Sequence, residues 1–125
     1  MIIFDSNIWI AYLNLNDPCH KQANQFFEKQ KGVITIPEYI LLEVSSVLKL
    51  KANREIANNF LKIAQNNINI EILPSSPHLL KETIQLFQNN NNKLSFADNS
   101  LLYYAINHSA TIITLDKELN KVLSR

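Results

Sequence analysis

The chain has 125 residues, 46% of them apolar and 18% charged, with a net charge of +1. That length suffices for one domain with a real core, and the near-neutral balance neither demands nor excludes a nucleic-acid partner. No apolar run reaches a membrane span, no secretory leader pattern opens the chain, and the single cysteine, Cys19, has no internal partner, so a cytoplasmic protein is expected.

In chain order, Ile2–Phe4 reads as a short strand covered on both faces, since its apolarity is continuous rather than alternating. Ser6 or Asn7 is expected to cap a helix through Leu13. Asp17-Pro18 restarts a helix carrying Ala23, Phe26 and Phe27, with Gly32, the chain's only glycine, as its C-terminal cap. Val33–Ile36 is a second strand stopped by Pro37.

The next helix runs from Glu38 to Lys51 with Ile40, Leu41, Val44, Val47 and Leu48 inward. Asn53 caps another to Asn66, with Ile56, Phe60, Leu61 and Ala64 inward. Ile68–Leu73 is a third strand. Ser76-Pro77 opens a helix carrying Leu79, Leu80, Ile84 and Phe87, and Asn89–Asn92 forms a surface loop. Ser95 caps a helix to His108 with Leu101, Leu102, Ala105 and Ile106 inside. Thr111–Thr114 is a fourth strand, and Asp116 to Leu123 a short final helix. Strands alternating with helices predict an α/β sandwich around a mainly parallel sheet, without repeat or linker.

Of eleven acids, four fall at places that bear on chemistry. Asp5 follows the first strand, at the sheet edge where ligands bind in such folds. It also suits a plain helix cap. Glu43 lies in the apolar run Ile40-Leu41-Leu42-Glu43-Val44, where burial would demand a cation or a hydrogen-bonded partner. The plainer reading is a helix-edge glutamate reaching solvent. Ser95-Phe96-Ala97-Asp98 has the form of a capping box, a role compatible with presenting a carboxylate. Asp116 follows the fourth strand as Asp5 follows the first, and could simply cap the last helix.

Gathered together, four carboxylates would repel and take up protons unless a divalent cation sat among them. An all-oxygen set suits Mg²⁺ or Mn²⁺. His20, His78 and His108 are scattered, which excludes a zinc pattern; one glycine excludes a Gly-rich phosphate loop; and no Gly-x-Ser-x-Gly element is present.

Ile3-Phe4-Asp5-Ser6-Asn7, Pro37-Glu38 leading to Leu42-Glu43-Val44, Leu94-Ser95-Phe96-Ala97-Asp98, and Ile113-Thr114-Leu115-Asp116-Lys117 together resemble the PIN-domain nucleases. The small size is similar to that of VapC-type toxins of bacterial type II toxin–antitoxin pairs. The resemblance implies a three-layer α/β fold with a four- or five-stranded, mainly parallel sheet flanked by helices. It also implies a Mg²⁺- or Mn²⁺-dependent endoribonuclease, a homodimer held inactive by an antitoxin. The family's acids carry over onto Asp5, Glu43, Asp98 and Asp116, with Asn7 and Thr114 in support.

In the mechanism this implies, Asp5 and Asp98 hold metal directly, and Glu43 and Asp116 directly or through water. A metal-activated water attacks the RNA phosphodiester, and a second ion, if bound roughly 3.5–4 Å away, would stabilise the leaving oxygen. Lys49, Lys51, Arg54 and Lys117 are candidates to grip phosphate, though each also reads as a solvated helix end. Trp9, Tyr12 and Phe96 are candidates to stack on bases, with core or dimer packing as the plainer use. The competing readings are non-catalytic: a receiver-like signalling module, which would want a second acid beside Asp5, or a silent PIN-like interaction protein. An aspartate-nucleophile phosphatase would want an acid where Asn7 stands.

Overall fold

A computed structural model describes all residues, Met1–Arg125. The elements run β1 (Ile2–Phe4), α1 (Ser6–Leu13), α2 (His20–Lys29), β2 (Ile34–Pro37), α3 (Glu38–Lys51), α4 (Arg54–Asn66), β3 (Ile70–Leu73), α5 (Pro77–Asn89), α6 (Phe96–Asn107), β4 (Thr111–Ile113) and α7 (Lys117–Leu123). The four strands form one sheet in the order β3-β2-β1-β4, all parallel. The expected α/β sandwich with a parallel, four-stranded sheet is what the chain adopts. No helix is long and apolar enough to cross a membrane.

β1 is central, and its continuous apolarity follows from that position. Ile3 and Phe4 are fully buried, and every residue of β2 is buried as well. In register, Phe4 of β1 stands beside Ile113 of β4. The Asp5 amide extends the ladder by donating to the Ile113 carbonyl at 2.9 Å. Aromatic edges clamp α1 onto the sheet: Phe27 packs against Phe4 at 4.6 Å and Trp9 at 4.8 Å, and Phe60 of α4 reaches Trp9 at 5.4 Å. Such tilted and edge-on ring pairs add stability beyond the area they bury.

Several local expectations are corrected. The cap of α1 is Asp5, neither Ser6 nor Asn7: its backbone is extended and its Oδ1 accepts from the Ser6 amide at 2.7 Å. Asp17 bonds the Cys19 amide at 2.8 Å, so Pro18 sits in a turn and α2 starts only at His20. Gly32 caps nothing. α2 ends at Lys29, no glycine has positive φ, and a Cβ at Gly32 would meet no neighbour. Val33 and Ile68 lie outside their strands and are exposed.

The apolar stripes also prove narrower than periodicity suggested. α3 buries Ile40, Val44 and Leu48, one residue per turn, leaving Leu41 and Val47 half-buried. α5 buries Leu79 and Thr83 but exposes Leu80, Ile84 and Phe87, and Ile106 of α6 is exposed too. Leu101→Ala, at a fully buried position, should therefore cost about 3 kcal/mol in urea denaturation. Ile106→Ala, at a position 61% exposed, should cost less than about 1 kcal/mol. Equal costs at the two sites would contradict this burial pattern.

Candidate active site

The parallel register of β1 with β4 builds the site. Since Phe4 pairs with Ile113, the next residues along, Asp5 and Thr114, come side by side at the carboxyl edge of the sheet. Both are buried. The Thr114 hydroxyl donates to Asp5 Oδ2 at 2.7 Å, while the Ser6 amide donates to Oδ1. Thr114 Oγ1 in turn accepts from Asn7 Nδ2 at 3.1 Å and from the Asp116 amide at 3.0 Å. Asn7 Oδ1 takes the Leu115 amide at 3.1 Å, and Asn120 Nδ2 holds the Thr114 carbonyl at 3.0 Å. Asn7 and Thr114 thus lock the loop after β4 against the start of α1.

Glu43 joins through Ser6, which the sequence offered as a helix cap and not as a partner of Glu43. Ser6 Oγ donates to Glu43 Oε1 and lies 3.4 Å from Asp5 Oδ1, so one hydroxyl stands between two carboxylates. The sequence signal was present, a small hydroxyl directly after the first acid, but its partner on α3 is 37 residues away and only tertiary structure shows it. Glu43 is exposed rather than enclosed in the core. The apolar run around it misled because α3 buries a single stripe, leaving Leu42 56% exposed beside it.

Asp98 occupies the third position of α6 in a complete capping box with Ser95. The two bonds, Asp98 amide to Ser95 Oγ and Ser95 amide to Asp98 Oδ2, are each 3.1 Å. Buried Asn99, next in the chain, donates to the Ser95 carbonyl at 2.8 Å and accepts from Asn90 Nδ2 at 3.2 Å. The Asn-rich loop thereby anchors the start of α6. Asp116 caps α7, with its Oδ1 accepting from the Leu119 amide at 3.0 Å. It meets Asp5 only indirectly, through Thr114.

Electrostatics single out Asp5. Burial raises its pKa above the ordinary 3.8, the Thr114 and Ser6 hydrogen bonds oppose that rise, and the charges of Asp98 and Glu43 reinforce it. The structure thus brings Asp98 and Glu43 within electrostatic reach of Asp5, while the Asp116 carboxylate faces its own helix. No three of these side chains are drawn close enough to enclose a metal ion by themselves. The donor set is nonetheless all oxygen, and like charges around a buried carboxylate are the chemistry a hard cation relieves.

The candidate basic residues are all exposed. Lys117 opens α7 beside Asp116, whereas Lys49 and Lys51 lie in the last turn of α3 and Arg54 opens α4. Lys51 stands about 12 Å along the helix from Glu43. Trp9 and Tyr12 belong elsewhere: they line a cavity of about 570 Å³ with Phe27 and Phe60, and Tyr12 stacks on Phe27 at 4.0 Å.

The PIN domain family model matches residues 2–123. No curated protein matches the chain in sequence. Solved structures do match in fold. VapC20 of Mycobacterium tuberculosis, described as a sarcin-ricin loop cleaving toxin, superposes with a TM-score of 0.89 at 15% identity, covering 98% of this chain and 95% of that one. A toxin–antitoxin complex from Klebsiella pneumoniae gives 0.69 at 23% identity, over 94% of this chain and 89% of that one. FitAcB from Neisseria gonorrhoeae gives 0.74 at 17% identity, over 99% and 94%. At such identities the likeness is one of fold. With the family model spanning nearly every residue and all four strands in place, the chain belongs to the PIN-domain family.

Proposed function

We propose that the protein is a Mg²⁺- or Mn²⁺-dependent endoribonuclease, the toxin of a type II toxin–antitoxin pair, acting in the cytoplasm as a single PIN domain that forms a homodimer. The observation that carries this reading is Asp5: a buried carboxylate pinned by Thr114 and the Ser6 amide, with two further acids acting on it. At neutral pH that grouping is costly without a cation.

Asp5 and Asp98 would hold the metal directly, Glu43 and Asp116 directly or through water. Bound there, Mg²⁺ or Mn²⁺ supplies Lewis-acid activation of a water for attack on a phosphodiester. Thr114 and Asn7 hold the Asp5 carboxylate in one orientation, and Ser6 Oγ positions Glu43. Lys117, next to Asp116, would grip a phosphate, and Lys49, Lys51 and Arg54 would meet RNA farther out. A water nucleophile needs no 2′-hydroxyl, so preference for RNA comes from shape and single-strand contacts.

Two surfaces support the partners. The apolar cavity lined by Trp9, Tyr12, Phe27 and Phe60 suits an apolar side chain of an antitoxin. Leu80 and Ile84, exposed one turn apart on α5, suit a contact between copies. The likeness in fold to one toxin and to one toxin–antitoxin complex favours the same reading. Membership of the PIN family removes the receiver-like alternative, and a silent PIN protein would bind no divalent ion.

RNA incubated with the protein should be cut with Mg²⁺ or Mn²⁺ and left whole in chelator. Asp5→Asn should lower the rate at least a hundredfold. Undiminished cleavage in either control would refute the metal-dependent reading. A second prediction follows from burial. Folded, metal-free protein holds the Asp5 proton more tightly than the unfolded chain does, so this group's contribution to stability is lost as pH rises above about 4. In chelator, Asp5→Asn should therefore gain in melting temperature relative to wild type as pH climbs from about 4 toward neutrality. Mn²⁺ should raise the melting temperature of wild type alone. A variant offset that is flat with pH, or equal stabilisation of both proteins by Mn²⁺, counts against it.

A further inference from the structure

Three aromatic rings run outward from the carboxylates, and none of the interactions described above employs them. Tyr39 lies one helical turn before Glu43 on α3. Phe96 opens α6 two residues before Asp98, and its ring centroid is 6.1 Å from Tyr39 at an angle of 58°. Phe87, near the end of α5, lies 5.9 Å beyond Phe96 at 69°. Exposure rises outward: Tyr39 and Phe96 are half-buried and Phe87 is 50% exposed.

We propose that Tyr39, Phe96 and Phe87 form a stacking platform for the unpaired bases of RNA flanking the bond to be cut, an inference that rests on the nuclease reading. The polar side chains of the site are committed to one another: Ser6, Asn7 and Thr114 hold carboxylates and loop backbone. Trp9 and Tyr12 are occupied around the apolar cavity. That leaves these three rings as an aromatic cluster that begins one helical turn from Glu43. Stacking suits them because every base has a π-face, so seating needs no particular sequence. Lys93, exposed two residues before the Ser95 cap, supplies positive charge for phosphates beside Phe96. The platform is a positioning device, and it explains how a site made of acids can retain an anionic strand.

The test uses a single-stranded RNA decamer carrying 2-aminopurine, mixed with full-length protein in chelator so that no cleavage occurs. Wild type should quench the probe by stacking. Phe96→Leu and Phe87→Leu, which keep apolar volume and remove the ring face, should each bind about tenfold more weakly. With Mn²⁺ the same variants should raise KM and leave kcat within about twofold. Should Phe96→Leu fail to fold, Phe87→Leu, at a half-exposed position, carries the test alone. Unchanged quenching and affinity in the leucine variants would overturn the proposal. So would their conversion to monomers in sedimentation with RNA binding intact, which would assign the rings to a contact between copies. The nuclease reading fails separately: if Mn²⁺ yields no cleavage while ring-dependent quenching persists, the platform stands without the catalyst.

Discussion

The site depends on one hydrogen bond, from the Thr114 hydroxyl to the buried Asp5 carboxylate at 2.7 Å. It exists because β1 and β4 are parallel neighbours in a register that sets Phe4 against Ile113. Slipping that register by one residue would turn Asp5 to the opposite face and part it from Thr114. Burying a carboxylate among like charges is costly, and the hydrogen bonds on both its oxygens offset only part of that cost. The remaining imbalance is what a cation would relieve, which links the packing of the sheet to the chemistry at its edge.

From that bond the network spreads to α1 through Ser6 and Asn7, to α3 through Glu43 and to the start of α7 through Asp116, while Asp98 on α6 acts on Asp5 through its charge alone. Three of the four acids are oriented by a local device that also serves the fold; Glu43 is held instead by Ser6 from another helix. Asp5, Asp98 and Asp116 each cap a helix or complete a capping box, so each meets the positive end of a helix dipole. The Asn90–Asn99 bond fixes the loop ahead of α6, giving the Asn-rich segment a structural use. Function and stability therefore draw on the same side chains, and loosening a cap would displace a carboxylate.

Much of this was legible from local chemistry. The strand before Asp5, the Asn53 and Ser76 caps, the Ser95–Asp98 box and the full span of α3 all rest on contacts within a few residues, and the fold realises each. Long-range relations were not legible. Glu43 looked buried because its neighbours are apolar, yet a helix shows the core one stripe, and only the fold reveals which. Ser6 looked like a possible helix cap, and its bond to Glu43 was not legible because that partner lies on another helix. Gly32 looked like a cap by composition, but α2 ended earlier, without a left-handed residue. Of the four apolar residues of α5 read as core, only Leu79 is buried, and Leu80, Ile84 and Phe87 face outward.

The central claim is that Asp5 is the focus of a single hard-cation site shared with Asp98 and Glu43. Titration calorimetry with Mn²⁺ addresses it without reference to substrate. Wild type should bind the ion, Asp5→Asn should abolish that binding, and Thr114→Val should weaken it by freeing the Asp5 carboxylate to turn. Binding that survives Asp5→Asn unchanged, or no binding by wild type at millimolar Mn²⁺, would contradict it.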